Sequence, residues 1–292
     1  MGGSESTERS VSTVQELDQP WRTTHWEGKE LLEKNLRELE LSDSNVKYVR
    51  ILLAGEVGAG KSSFINSINS VFQGRITTEA LADAGFSRSF TKTYRTYYIS
   101  NGQSVLPFVF NDIMGLESEE AQGAHPEDIA KSLEGLLKEG YNFNPAVSGK
   151  DVDYRSETSP EHLTYCLVYV IAADKVSMMN QEVFKKMKYI REKASSLEIP
   201  QAIIMTKVDE ACPLVQKDLR KIYTSKKIKE KMQECSNAVG VPVSHIFPVK
   251  NYHEEIDPEN DMDVLILRAL TQIVHIADDL LKRKQRDAEA GN

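Results

Sequence analysis

Between the largely apolar run Val46 to Ala54 and the helical pattern Ser63-Phe64-Ile65-Asn66-Ser67-Ile68 stand eight residues, Gly55-Glu56-Val57-Gly58-Ala59-Gly60-Lys61-Ser62, that fit G-x-x-x-x-G-K-[ST]. No other feature constrains the chain as strongly, because the pattern works only as a turn from the end of a buried strand into the start of a helix. Glycines at 55, 58 and 60 let consecutive backbone N–H groups turn inward around an anion, and the helix N-terminus behind them adds its dipole. In that arrangement the backbone from Gly55 through Ser63 cradles phosphates, Lys61 reaches the outer ones as the catalytic cation, and the Ser62 hydroxyl ligates Mg²⁺.

Composition excludes several alternatives. The chain has 292 residues, enough for a full hydrophobic core, in one large α/β domain with appendages or in two small ones. Asp and Glu number 44 against 36 Lys and Arg, and the resulting net charge of −8 opposes a nucleic-acid backbone. Cys166, Cys212 and Cys235 are odd in number and far apart, so no disulfide framework or C-x-x-C metal pair is expected, which fits a reducing cytosol. No stretch approaches the ~18 apolar residues of a membrane span, and the N-terminus lacks a signal-peptide core. A soluble, cytoplasmic protein is expected. Met1-Gly2-Gly3-Ser4-Glu5-Ser6 formally satisfies the myristoylation pattern at Gly2. Glu5 and Glu8 are acidic, however, and no polybasic cluster supplies the second signal that stable anchoring requires.

Residues 1–19 are polar and read as a disordered tail; residues 20–45 carry Trp21, Trp26 and the stripe Leu31, Leu32, Asn35, Leu36 and Leu39, a docking helix for the domain at 46–284. Residues 285–292 read as a second tail. From Val46 onward strand and helix patterns alternate, the signature of a mostly parallel sheet covered on both faces. Strands are expected over 46–54, 93–99, 105–110, 164–173, 201–205 and 243–249, and Asn101-Gly102 makes the second and third an antiparallel hairpin. A helix carrying Phe184, Met187, Ile190, Ala194 and Leu197 on one face follows the fourth strand. The last helix is expected over 261–284, with Ile266, Leu270, Ile273, Ala277 and Leu280 inward. The stretch from Gly140 to Glu161 has neither periodicity and reads as a functional insert or mobile loop.

A phosphate loop alone would serve ATPases, kinases and GTPases alike. Two later segments discriminate. Asp112-Ile113-Met114-Gly115 follows the third strand and fits D-x-x-G, in which the Asp holds Mg²⁺ through water and the Gly N–H meets the γ-phosphate. Thr206-Lys207-Val208-Asp209 follows the fifth strand and fits [NT]-K-x-D. The Asp209 carboxylate can accept two hydrogen bonds from guanine N1–H and N2–H₂, a pair of donors that adenine lacks, while Lys207 lies over the ring. Each segment stands at a strand's C-terminal end, where α/β sheets bind ligands. After the sixth strand, Lys250-Asn251 takes the place of the usual S-A-K loop and is expected to contact the base through its backbone. A threonine that reaches Mg²⁺ and the γ-phosphate is needed between the first helix and the hairpin; Thr77, Thr78, Thr91 and Thr93 are available, and Thr91, just before the strand, is the choice for both the catalytic and the metal role.

The order G-x-x-x-x-G-K-S, D-x-x-G, T-K-x-D, with a hairpin inserted after the first helix, resembles the GTPase domain of P-loop proteins. More closely, Leu52 to Phe64, Ser70-Val71-Phe72-Gln73-Gly74, Asp112 to Leu116 and Ile204 to Asp209 resemble the interferon-induced protein 44 family, as do Pro20-Trp21-Arg22 and Asp263 to Leu270. The resemblance spans residues 20 to 282. It implies a three-layer α/β G domain with a six-stranded, mostly parallel sheet, GTP or GDP with Mg²⁺ as ligand, and an interferon-responsive cytoplasmic protein with antiviral and antiproliferative associations.

The residue after D-x-x-G is Leu116, where many small GTPases carry a glutamine that orients the attacking water. An alkyl group cannot do so. Turnover is therefore expected to be slow, depending on a partner's arginine finger, worth roughly 10³ to 10⁵ in rate, or on homodimerisation across the nucleotide. A nucleotide-dependent scaffold that presents a surface to protein partners is the competing reading. A nucleotide kinase would want an arginine-rich lid and has no use for T-K-x-D. The six histidines show no H-E-x-x-H spacing, and no G-x-S-x-G elbow is present.

Overall fold

The computed structural model describes residues 16–80, 92–102, 104–119, 123–144, 148–149 and 154–290. Six strands form one sheet in the order β2-β3-β1-β4-β5-β6. They are β1 (Val49–Ala54), β2 (Arg95–Ser100), β3 (Val105–Asp112), β4 (Thr164–Ala172), β5 (Gln201–Thr206) and β6 (Ile246–Pro248). All neighbours run parallel except β2 and β3, which pair antiparallel as the Asn101-Gly102 turn predicts. The central strand β4 is buried along all nine residues, which is why it reads as a continuous apolar run, whereas edge strand β2 alternates between exposed and buried positions.

Helices cover both faces. On one side lie α2 (Lys61–Gln73) and α8 (Asn260–Ala290), with α1 (Lys29–Arg37) packed on α8; on the other lie α3 (Pro126–Leu133), α4 (Gln181–Ser196) and α7 (Lys226–Val239). Two short helices, α5 (Val208–Ala211) and α6 (Pro213–Lys217), follow β5. The expected inward residues of α8, Ile266, Leu270, Ile273, Ala277 and Leu280, are all buried. This is the α/β layering that the alternating sequence pattern implies.

Several boundaries differ from expectation. Asp112 is the last residue of β3 rather than the first residue after it, so the strand itself aims its carboxylate. The sixth strand is confined to Ile246–Pro248 because Pro242 opens a 3₁₀ turn over Val243–His245. The last helix continues to Ala290, six residues past Lys284, since the added turns are strong helix formers with polar side chains that water solvates. At the N-terminus, Glu16 and Leu17 are fastened rather than free: the Glu16 carboxylate sits 2.7 Å from Lys221 Nζ and Leu17 N donates to the Thr224 carbonyl at 2.8 Å. Within the docking segment, Leu36 is buried, but Leu31 is 64% exposed and belongs to the outer face of α1. Lys29 reaches across to the buried Asp263 of α8 at 2.7 Å. Arg22 donates to the carbonyls of Val243 and Ile246 at 3.0 and 2.9 Å, and Trp21 packs edge-on against Tyr223 with centroids 5.2 Å apart.

The aperiodic insert is anchored by a buried acid that the sequence reading did not single out. Asp128 of α3 accepts hydrogen bonds through one carboxylate oxygen from Tyr154 OH (2.8 Å), Ser148 Oγ (2.8 Å) and Gly149 N (3.1 Å). Tyr141 stacks on Tyr154 with centroids 5.9 Å apart, and burial together with Asp128 pushes both phenols up. The described residues of the segment are held by contacts far apart in sequence, which local periodicity cannot register.

Candidate functional site

Every described motif segment ends at the C-terminal edge of the sheet. β1 delivers Gly55 to Gly60, and α2 begins at Lys61 with Gly60 as its N-cap, at φ 94°. That left-handed conformation is strained for any other residue, and a Cβ there would also stand 2.9 Å from Asn251 Nδ2. Lys61 is 6% exposed and folds back over the loop, its Nζ donating to the carbonyls of Gly55 (3.2 Å) and Glu56 (3.1 Å). Ser62 Oγ donates to Asp112 Oδ2 at 2.6 Å. The two expected metal ligands, on α2 and at the end of β3, are thus brought together. Hard oxygen donors, one of them a carboxylate, suit Mg²⁺, which keeps waters and takes phosphate oxygens for its remaining positions. Ser63 follows within the first turn of α2. Thr91, the third expected metal ligand, lies outside the described residues. Of the other threonines of that region, Thr77 is tied down, donating from its hydroxyl to the Asn66 carbonyl at 3.1 Å.

The ends of β5 and β6 are fastened to the loop at 55–60 by side chains. Thr206, at the end of β5, donates from Oγ1 to the Ala59 carbonyl at 2.6 Å. Asn251 Nδ2 donates to the Gly60 carbonyl at 3.1 Å, so this residue acts through its side chain as well as its position. Its Oδ1 is buried and accepts no hydrogen bond among the described residues. Lys207 takes the left-handed conformation at φ 56°, which turns the chain abruptly and starts α5. Asp209, in the first turn of α5, is half-buried and accepts no hydrogen bond among the described residues; the nearby Lys250 contributes a favourable charge. The Lys250 side chain is paired with Glu255 at 2.6 Å, which holds the loop after β6.

The segment after Asp112 grips the phosphate loop. Leu116 N donates to the Gly55 carbonyl at 2.9 Å, and Val57 N donates to the Leu116 carbonyl at 3.2 Å, a short parallel bridge between Glu56 and Leu116. Gly115 lies against Val57 so closely that a Cβ would meet Val57 N at 2.8 Å. The Leu116 side chain is 1% exposed and belongs to the core. Lys186, on α4, donates to the carbonyls of Glu117 and Glu119 at 2.7 and 3.1 Å and anchors the same segment from the opposite face. Glu56 is half-buried; burial raises its carboxyl, opposed by Lys175 and Lys61. Sequence reasoning missed Lys175 and Lys186, because neither belongs to a motif and both arrive from elements distant in the chain. Among the described residues no cluster of three His, Cys, Asp or Glu could hold a metal, and no helix is long and apolar enough to cross a membrane.

No family model matches the chain. Interferon-induced protein 44 of Homo sapiens is 35% identical over 251 residues, covering 85% of this chain and 56% of that protein. Interferon-induced protein 44-like of Homo sapiens is 31% identical over 250 residues, covering 81% of this chain and 53% of that protein. Interferon-induced protein 44 of Mus musculus is 32% identical over 253 residues, covering 85% and 59%. The chain therefore spans a little over half the length of the curated relatives it matches. Among solved structures, a probable GTP-binding protein engB superposes with TM-score 0.43 at 11% identity, covering 79% of this chain and all of that one. Era in complex with MgGDPNP and a piece of 16S ribosomal RNA superposes with TM-score 0.38 at 13% identity, covering 80% of this chain and 57% of that one.

Proposed function

We propose that this chain, which belongs to the interferon-induced protein 44 family over the stretch it shares with those relatives, binds GTP or GDP with Mg²⁺ and acts as a slow nucleotide switch. The observation that carries the reading is the side-chain fastening of the base loops to the phosphate loop, Thr206 to Ala59 and Asn251 to Gly60. Such fastening would hold Asp209 at a fixed distance from the phosphate cradle, which recognition of both ends of one nucleotide requires. Phosphates would lie on the N–H groups from Gly58 to Ser63 with Lys61 against the outer ones, and Ser62 and Asp112 would hold Mg²⁺. Held by Ser62 and Asp112, Mg²⁺ would neutralise charge on the phosphate oxygens. Asp209 selects guanine through its two donors, and Lys207 covers the ring.

Slow turnover follows from Leu116. Its amide and carbonyl are both engaged by the phosphate loop and its side chain is in the core, so nothing at this position orients a water. This favours the scaffold reading, in which the nucleotide state of the segments around 75–93 and 112–124 presents a surface to protein partners. Where hydrolysis does occur, an arginine supplied in trans or a homodimer across the nucleotide provides the missing group. A cytoplasmic, interferon-responsive role in antiviral defence extends the family relationship to this chain.

Calorimetric titration with GTP, GDP and ATP in Mg²⁺, repeated on Asp209→Asn, tests the assignment. GTP and GDP are expected to bind at least about a hundredfold more tightly than ATP, with the preference lost in the variant. Equal affinity for ATP in the unmodified protein overturns the guanine reading. Hydrolysis measured across protein concentration separates the routes, since a rate per molecule that stays flat excludes homodimer activation.

A further inference from the structure

Beneath the N-terminal ends of β1 and β4, away from the phosphate loop, is a cavity of about 380 Å³, within the size range of small-molecule sites. It assembles from four stretches of chain: Lys47 to Arg50, Tyr94 to Tyr98, Leu137 to Glu139, and Arg155 to His162. Three cations and three tyrosines line it. Arg155 is the notable member: its Nε is buried and finds no hydrogen-bond partner among the described residues. A buried guanidinium N–H left unpaired is costly, because it has given up its hydration and gained no partner, so an acceptor is called for there.

The two carboxylates at the rim do not meet that need. Glu139 is occupied by β2, accepting from Thr96 N at 3.0 Å and Thr96 Oγ1 at 2.7 Å. Glu161 is exposed, and Arg50 bonds its backbone carbonyl instead, at 3.2 and 3.1 Å. The electropositive interior is registered by a neighbour: burial, then Arg155, then Arg50 hold the His162 imidazole below its ordinary value, so the ring adds no fourth charge at neutral pH. The aromatic walls are set at the mouth, Tyr48 and Tyr98 packing edge to face with centroids 5.4 Å apart and Lys47 Nζ 5.2 Å from the Tyr48 ring. Tyr94 closes the interior, its phenol pushed up to about 12 chiefly by burial.

We propose that this cavity is a second ligand site, for a small aromatic molecule that carries a carboxylate or phosphate monoester. The anionic oxygens meet Arg155 and Lys47, and the planar ring packs against the Tyr48–Tyr98 pair. The site is separate from the nucleotide site and stands whether or not a guanine nucleotide binds.

Isothermal titration of the full chain with benzoate and with phenyl phosphate tests it, using inorganic phosphate and benzyl alcohol as the two half-probes. At least one aromatic anion is expected to bind about tenfold more tightly than either half-probe. Arg155→Leu, checked by circular dichroism for its fold, is expected to weaken that binding at least about tenfold. Lys47→Gln and Tyr98→Ser alter exposed side chains that folding does not need, and each is expected to weaken it about threefold; they carry the test if Arg155→Leu does not fold. Lys61→Ala, which disables the phosphate loop, should leave it within twofold. Aromatic anions that bind no better than the half-probes overturn the proposal. So does binding that survives Arg155→Leu, or Lys47→Gln together with Tyr98→Ser, or that disappears with Lys61→Ala. Retained preference between benzoate and phenyl phosphate identifies which anionic group the site takes.

Discussion

The phosphate end and the base end of the proposed nucleotide site are built differently. The first is a run of consecutive residues whose own backbone makes the cradle, with Lys61 and Ser62 placed by the start of one helix. The second is gathered from the ends of β5 and β6 and depends on two side chains, Thr206 and Asn251, to fix it against the loop. Backbone-built recognition is lost when a charge or a glycine is lost; fastened recognition can be loosened one hydrogen bond at a time.

Substitutions that strike one end and spare the other sharpen this contrast. Lys61→Ala removes a buried cation and its charge-assisted bonds, each worth about 1.5–3 kcal/mol, and is expected to reduce GTP and GDP affinity by about two to three orders of magnitude in calorimetry. Thr206→Val leaves the Ala59 carbonyl without its donor; a denaturant midpoint lowered by about 1–3 kcal/mol of stability is expected, with nucleotide affinity falling about tenfold. Equal losses from Thr206→Val and Lys61→Ala would break the distinction. Asn251→Ala, which deletes a single bond at 3.1 Å, is expected to cost about threefold to tenfold in affinity with GTP and GDP affected alike.

Two smaller effects probe the surroundings. The Glu255 carboxyl sits at about 2: burial would raise it, but His253 N–H and the Lys250 ammonium outweigh burial and stabilise the ionised form. Because its folded value is below its ordinary value of 4.5, the stability it contributes is present above that pH and is lost as pH falls toward about 2. Glu255→Gln should therefore lower the unfolding midpoint at pH 6 and converge with the unmodified protein in acid; a constant difference at all pH would remove Glu255 as the source. Leu116→Gln is expected to change single-turnover GTP hydrolysis by less than about tenfold, far short of the 10³ a well-placed catalytic group gives, because both backbone groups at 116 remain tied to the phosphate loop.

How much of this was legible in the sequence depends on the distance over which each feature is encoded. The phosphate loop, the hairpin turn and the buried strands are written in windows of six to ten residues, and the structure has six strands with one antiparallel pair as those windows imply. The pairing of Ser62 with Asp112 was foreseeable from two motifs and strand order. The grip of Leu116 on Gly55 and Val57 was not, nor was the anchoring of the aperiodic insert by Asp128, because both depend on which segments the fold sets side by side. Boundaries shifted where local chemistry outranked hydropathy, as when Pro242 cut the sixth strand short and solvated polar residues carried the last helix to Ala290.

The sequence by itself determined the kind of fold and pointed to the loop at 55–62 and to Asp209 as the proposed phosphate cradle and base reader, since each is a local pattern with a local physical cause. Tertiary structure alone decided that Thr206 and Asn251 bind the base loops to the cradle and that Leu116 lies pinned and buried. It also placed Arg155, with an N–H unpaired among the described residues, beside Arg50 and three tyrosines. Hydrogen bonds and burial between residues a hundred positions apart exist only once the sheet has brought their strands together, and no periodicity of the chain encodes them.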